Sequence, residues 1–316
     1  MKTRWSSTPN WLKTRCSFTD VPTRDVEENI SMTVHPLWAV ISVIGLVGCS
    51  AAIPDVGDSE RVPVTRLNQL LPTDAILLGE QHDAPDHQRI HHFVVQTLAT
   101  QQALAALALE MASQGQSTAK LATDAGEDVV RAALQWDNEA WPWAAYGPAV
   151  MAAVRAGVPV VGANLPAARL RDAMANSGLD MLLAGPALKA QQQQIRQGHC
   201  DLLPESQVSP MTRIQIARDV SMAQTVVKAA LSGKTVVLLA GSGHVDRTLG
   251  VPQHLPSGFK VKTVLLHAEQ ASIATNNIAK YDQLWPAKPA PPVDYCANFT
   301  AQRGMQTSEP AAKKMP

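Results

Sequence analysis

The sequence carries no excess of charge of either sign. Its 27 Lys and Arg residues equal its 27 Asp and Glu residues, so the formal net charge at pH 7 is zero. No segment of the chain is strongly basic. Proteins that bind nucleic acid need clustered Lys and Arg side chains to neutralise phosphates, so the composition argues against a nucleic-acid partner.

Aromatic residues, cysteines and long apolar runs are scarce as well. Phe, Trp and Tyr make up 4% of the 316 residues, and there are only four cysteines. This excludes a disulfide scaffold, and the lack of repeated apolar runs of about 20 residues excludes a multispanning membrane protein. Hydrophobic residues nonetheless make up 46% of the chain, which is enough for the buried core of one large or two small domains.

The most apolar segment lies towards the N-terminus. Residues 37–47 contain no charge, and a run of this length is typical of the centre of a signal peptide rather than of a membrane-spanning helix. The run leads into Leu-Val-Gly-Cys49, which resembles the bacterial lipobox, where the cysteine is acylated. Ser50, rather than an aspartate, follows the cysteine and favours the outer membrane. A buried helix with a chance cysteine is the alternative interpretation.

We therefore expect residues 32–48 to be a lipoprotein signal peptide. Acyl chains on Cys49 would anchor the protein in the outer membrane, facing the periplasm, and residues 49–60 would form a tether. Signal peptides usually span about 15–30 residues, so translation from Met32 fits better than translation from the first methionine. We expect residues 1–31 to be an upstream extension that the natural product lacks.

Cys200 and Cys296 remain as an even pair in a compartment that oxidises thiols, which favours a disulfide between them. Such a bond would tie residues 286–316 to the domain. Four prolines near the start of that tail are unsuited to a helix or a central strand, and we expect the tail to be partly disordered. Two unrelated thiols, or Cys200 as a ligand beside His199, are the alternatives.

Short apolar runs without polar alternation predict a sheet. They are typical of strands that are covered on both faces, as in a parallel sheet. The runs are residues 75–78, 105–109, 158–161, 235–239 and 261–266. Helical patterns alternate with them, whereas residues 166–232 contain no strand pattern. For residues 61–285 the prediction is an α/β domain with a mainly parallel sheet flanked by helices, and a small all-helical subdomain inserted at about 166–232.

Polar side chains follow several of these runs. Ligands of open α/β sheets bind beyond the carboxyl ends of the strands, so we expect Glu80, His82, Glu110 and His244 to converge at one edge. The same strand ends carry Asp83, Asn164 and Asp246. Each of the two histidines closes a Gly-x-x-His element, in which the glycine allows a sharp turn or a close approach. A buried hydrogen-bonded network that fixes the strand ends is the alternative to a ligand site.

Two further groups are candidate ligand contacts. His87 and His91 lie one turn apart on a predicted helix, where they can share a metal ion or ligate haem iron, or else simply line the helix. Three tryptophans and Tyr146 cluster within residues 136–146 and form an apolar wall, either of the core or of a pocket for a flat ligand. Tyr146 is the tyrosine that we most readily assign to a ligand.

The motifs and their order along the chain resemble those of the ChaN-like haem-binding lipoproteins. These proteins share a superfamily with the Tiki proteins and the erythromycin esterase-like enzymes. The resemblance covers roughly residues 65–270. It rests on segments 79–82, 109–111, 141–148, 162–166, 198–219 and 241–246. It implies a lipoprotein with a parallel sheet, whose dimer holds two stacked haems, each iron bound by one tyrosine. The resemblance gives that role to Tyr146, whereas His87 and His91 are candidates by chemistry alone.

The leading hypothesis is a haem-binding outer-membrane lipoprotein that supports haem or iron uptake as a homodimer, without catalysis. The alternative is a metal-dependent hydrolase. In it, His82 and His244, with Glu80 or Glu110, hold a divalent ion that activates water. A third hypothesis is a structural lipoprotein with a vestigial site.

Overall fold

The computed structural model describes residues 64–268 and 279–297, and the structural statements below concern these residues. The expected signal peptide, the expected acylation site Cys49 and the tether lie outside them, as do the upstream extension and the end of the tail. Within the described part of the chain, no helix is both long enough and apolar enough to cross a membrane.

The described residues form a six-stranded sheet in which all neighbouring strands run parallel. The strands are β1 (Ala75–Glu80), β2 (Leu104–Ser113), β3 (Val160–Asn164), β4 (Thr235–Gly241), β5 (Val261–Ala268) and β6 (Gln283–Ala287). Their order across the sheet is β3-β2-β4-β1-β5-β6. Every predicted apolar run lies in or overlaps a strand, and the predicted α/β fold with a parallel sheet is confirmed.

The sequence did not predict β6. This strand contains Pro286, at which the sequence predicted the start of the tail because proline cannot donate to a central ladder. β6 pairs only with β5 and so lies at the edge of the sheet, where a proline is tolerated. The ordered fold therefore extends past residue 285.

Helices cover both faces of the sheet. They are α1 (Val64–Asn68), α2 (Pro85–Thr100), α3 (Glu127–Ala133), α4 (Trp143–Arg155), α5 (Leu170–Ala175), α6 (Gly185–Gly198) and α7 (Glu205–Ala229). Side chains alternate along a strand, so Ile76 and Leu78 of β1 pack in the layer that contains α2 and α4. Ala75 and Leu77 pack in the opposite layer, with the second half of α7. The sheet is thus buried between two apolar layers.

Between β3 and β4 the chain forms helices and no strand, in the segment for which the sequence predicts an all-helical subdomain. Ala173 of α5 packs with Ile214 and Ala217 of α7 in a small apolar cluster of its own. α7 runs from Glu205 to Ala229. Because its second half covers the sheet, α7 connects this helical segment to the main core.

Cys200, directly after the C-cap residue of α6, and Cys296 form a disulfide. This is the pairing that the sequence favours. The bond connects the end of the helical segment to the chain that follows β6.

Candidate functional site

The carboxyl ends of three strands bring polar side chains to one edge of the sheet. β1 and β4 are neighbours, with Glu80 in register with Gly241, and β2 lies on the other side of β4. Glu80 ends β1, Glu110 lies in the last part of β2, and His244 lies in the short 3-10 turn after β4. The predicted convergence of these side chains is what the topology produces.

Glycines at the strand ends allow the close approach. A Cβ atom on Gly79 would overlap Cγ2 of the buried Val245, and one on Gly241 would lie 3.0 Å from Nε2 of His82. The imidazole of His82 therefore packs directly on the backbone at the end of β4. The first glycine of each Gly-x-x-His element has this packing role.

Glu80 is a buried carboxylate that orients His82. Its Oε1 accepts a hydrogen bond from the Tyr146 hydroxyl at 2.6 Å and lies 2.7 Å from Nδ1 of His82. Its Oε2 lies 3.5 Å from Nδ1 of the buried His91. The side chain of His82 is 41% exposed, so Glu80 fixes from below a ring that solvent can reach.

Glu110 and Asp219 hold the second imidazole. Nδ1 of His244 contacts Oδ1 of Asp219 at 2.5 Å, and Nε2 lies 3.4 Å from Oε1 of Glu110. The other oxygen of Glu110 accepts a hydrogen bond from the Gly241 amide at 2.7 Å and lies 4.0 Å from Nε2 of His82. One connected group results, which we call the rim cluster: Glu80, His82, Glu110, Asp219 and His244.

Asp219 is the member of the rim cluster that was not predicted from the sequence. It lies within α7 and is fully buried. Gln215, one turn earlier in the same helix, places Nε2 3.2 Å from Nδ1 of His244. The available sequence signal for Asp219 was an isolated acidic residue at the end of segment 198–219, one of the segments on which the family resemblance rests.

Three polar residues at the strand ends stay outside the rim cluster. Asp246 accepts a hydrogen bond from the Thr248 amide at 2.8 Å and pairs with Lys280. Asn164 donates to the backbone carbonyl of Glu110 at 2.9 Å. Asp83 is exposed. Asp246 and Asn164 therefore stabilise turns and strand ends, without contributing a side chain to the cluster.

Burial and mutual attraction determine the charges of the rim cluster. Burial alone would lower the pKa of His244, but the carboxylates of Glu110 and Asp219 outweigh it and raise this pKa to about 10. Burial raises the pKa of Asp219 to about 6, against the attraction of His244. For Glu110, burial is outweighed by His244 and His82, and the pKa lies well below its usual range. At neutral pH His244 is therefore a cation between two anions.

His82 is also shifted towards its charged form. Burial alone would lower its pKa, but the hydrogen bond to Glu80 and the negative charge of Glu110 outweigh it and raise the pKa. The more exposed imidazole of the cluster thus gains a proton more readily than a free histidine does.

The predicted aromatic cluster divides between the core and the edge of the site. Trp143 is buried, and Trp136 packs edge-on against it with ring centroids 5.1 Å apart. Trp141 remains half-buried, and its ring meets that of His82 edge-to-face at 4.9 Å. His82 and Trp141 therefore form a partly exposed aromatic surface above the rim cluster, which we call the mouth.

The side chains that the sequence assigned to a bound ligand, Tyr146, His87 and His91, are at most 3% exposed. Tyr146 donates to Glu80, and burial together with that carboxylate raises its pKa far above the usual value. Nδ1 of His87 accepts a hydrogen bond from the Gln81 amide, and burial lowers the pKa of His91 to about 4. Because these three side chains are buried, they offer no donor atom at the surface.

Within residues 64–268 and 279–297, no group of three or more His, Cys, Asp or Glu side chains is arranged to hold a metal ion. In the rim cluster, Nδ1 of His82 contacts Glu80 and Nδ1 of His244 contacts Asp219. The divalent-metal alternative therefore has no support from the geometry.

Fold and site together define a class of protein: an α/β protein with a parallel sheet, whose carboxyl edge carries a buried carboxylate–imidazole cluster beneath an aromatic surface. A family model described as haem-binding uptake, Tiki superfamily, ChaN matches residues 66–255. This segment is more than half of the chain, and the protein belongs to that family.

A solved structure shares the fold. ChaN of Campylobacter jejuni, described with cofacial haem binding, is 24% identical, has a TM-score of 0.60 and is matched over 72% of this chain and 92% of its own. The type III effector HopBA1 is 16% identical over 68% of this chain and 88% of its own, with a TM-score of 0.42. A Bacillus cereus protein is 14% identical over 65% of this chain and 68% of its own, with a TM-score of 0.38. No curated protein matches the sequence.

Proposed function

We propose that this protein binds haem at the mouth, as an outer-membrane lipoprotein that supports haem or iron uptake without catalysis. The observation that carries the proposal is the partly exposed pair of His82 and Trp141, with ring centroids 4.9 Å apart, in a chain whose family is named for haem binding. A porphyrin is flat and largely apolar, and such ligands pack on aromatic side chains beside a few fixed polar groups.

The donor set of the mouth fits a haem. When bound, haem supplies an iron that accepts a nitrogen or oxygen ligand. His82 is the exposed imidazole of the site; Glu80 occupies its Nδ1, and its Nε2 lies beside Gly241 and 4.0 Å from Glu110, so in this proposal the ligand meets the exposed face of the ring. A carboxylate on one ring nitrogen fixes both the tautomer and the orientation of the ring.

In this proposal the rim cluster is the buried support of His82. Glu80 holds the ring, and Tyr146 holds Glu80 through a 2.6 Å hydrogen bond. We infer that Tyr146 acts from behind the site, as do His87 and His91, because all three are buried. A fixed imidazole loses less conformational entropy when it contacts a ligand than a mobile one does.

A hemin titration of the full chain, followed in the Soret region, tests the proposal. We expect saturable binding, with a sedimenting mass that doubles to that of a homodimer when hemin is present. Tyr146→Phe should bind hemin with the same Soret position, since the phenol contacts Glu80 and not the solvent. A Soret shift in that variant would return the iron-ligand role to Tyr146, and a lack of saturable binding by the unmodified chain would contradict haem binding itself.

The membrane anchor is tested separately. In a bacterial host, the unmodified chain should fractionate with the outer membrane, because acyl chains on Cys49 bury methylenes in the bilayer. Cys49→Ala should abolish acylation and reduce fractionation with the outer membrane. Cys16→Ala is the matched control and should behave as the unmodified chain does. Equal outer-membrane fractionation and equal acylation of both variants would refute the lipobox assignment.

A further inference from the structure

The chain that follows β6 returns to the loop that carries His82 and to the start of α2. The amide of Lys288 donates to Asp86, in the first turn of α2, at 2.8 Å. Further on, the Tyr295 hydroxyl hydrogen-bonds to Asp83 and accepts from Nε2 of Gln81 at 3.1 Å. Both partners flank His82 in sequence. We call residues 288–297 the strap.

The strap is held at both ends. One end leaves β6 at Ala287, and the other is joined to Cys200 by the disulfide of Cys296. Prolines at three positions between these ends limit its backbone freedom. A short stiff segment fixed at two points presents its side chains in few arrangements.

Tyr295 is the aromatic residue that the strap presents. It is 53% exposed, whereas its hydroxyl is bonded to the loop that carries His82. The two other tyrosines of the described residues, Tyr146 and Tyr281, are buried. An exposed ring with a fixed hydroxyl can cover a flat ligand at little entropic cost.

We propose that Tyr295 is a further haem-binding residue at the mouth, and that the Cys200–Cys296 disulfide positions it there. The inference rests on the proposed haem binding. It adds a contact from outside the segment 66–255 that the family model matches, and it makes the affinity of the site depend on the disulfide.

A double-mutant cycle with hemin tests the inference on the full chain. The changes are Tyr295→Ala and the pair Cys200→Ser with Cys296→Ser, which avoids thiol reductants that bind haem iron themselves. Tyr295→Ala should weaken hemin binding about tenfold when the disulfide is present, and about twofold or less when it is absent. Val293→Ala, at an exposed position of the same strap, is the matched control and should bind as the unmodified chain does.

Amide hydrogen exchange without hemin supplies the second readout. Exchange within residues 288–297 should be faster in the cysteine pair variant and unchanged in Val293→Ala, because the disulfide holds one end of the strap. Tyr295→Phe should bind hemin more weakly than the unmodified chain but more tightly than Tyr295→Ala, because the ring remains while the hydroxyl contacts with Gln81 and Asp83 are lost.

The outcomes separate the inference from the function on which it rests. Equal hemin affinity of Tyr295→Ala and the unmodified chain overturns the inference alone, as does a loss of the same size with and without the disulfide. If the unmodified chain does not bind hemin, the proposed function fails and the role of Tyr295 fails with it. Tighter binding after removal of the disulfide overturns the inference too, since the strap would then block the mouth.

Discussion

At the scale of single residues, the buried charges of the rim cluster explain how one imidazole can remain exposed and still be fixed. His244 is held between Glu110 and Asp219, and Glu110 also approaches His82. Removing one partner from such a group leaves a buried charge uncompensated, which costs more than the pair contributes. The pH dependence of stability should report this arrangement.

The pKa of His244 predicts a loss of stability above neutral pH. This pKa is raised from 6.5 to about 10 in the folded protein, so the contribution is fully present below about pH 6.5 and is lost as the pH rises through 10. Each pKa unit is worth about 1.4 kcal/mol, and we expect the free energy of unfolding to fall by about 2–4 kcal/mol between pH 7 and pH 9.5. Urea unfolding at intervals across this range measures the fall.

Asp219→Asn is the matched variant for this measurement. It keeps the shape of the side chain but removes one of the two negative charges beside His244, so the folded-state pKa of His244 should be lower and the fall between pH 7 and pH 9.5 should be smaller than in the unmodified chain. Identical pH profiles for the two proteins, or a flat profile above pH 7, would show that His244 is not held as a buried cation.

At the scale of helices and strands, local sequence patterns predicted the buried strands but not the features that depend on the whole sheet or on tertiary contacts. Continuous apolar runs identified five strands because a buried parallel strand is apolar on both faces. β6 was missed because its proline is tolerated only at an edge, and edge position depends on the whole sheet. Asp219 was missed for a similar reason: helical spacing does not show which polar side chain of α7 meets a partner from another part of the chain, here His244 in the turn after β4.

The strand-end glycines give a prediction at the same scale. Gly79→Ala should lower the free energy of unfolding by about 1–3 kcal/mol, because the added methyl group overlaps the buried side chain of Val245. Gly243→Ala is the control, since a Cβ atom there meets no atom within 4 Å. Urea denaturation compares the two variants, and equal losses of stability would contradict the packing role assigned to Gly79.

At the scale of the whole molecule, the topology makes the site. The adjacency of β1, β4 and β2 brings together residues that are far apart in sequence, and the sequence predicted this from the polar residues at strand ends. It did not predict which groups would face outwards. Tyr146 is an aromatic residue near the site, but only the packing of α4 shows that its hydroxyl meets Glu80 and is buried.

The central claim is that haem contacts the exposed face of His82, supported by the rim cluster. Hemin affinity of His82→Ala, compared with that of His92→Ala, tests it most directly. His92 is a partly exposed histidine of α2 outside the cluster, so its loss should leave affinity unchanged, whereas the loss of His82 should weaken binding by about tenfold or more. Equal affinities for the two variants and the unmodified chain would contradict the claim.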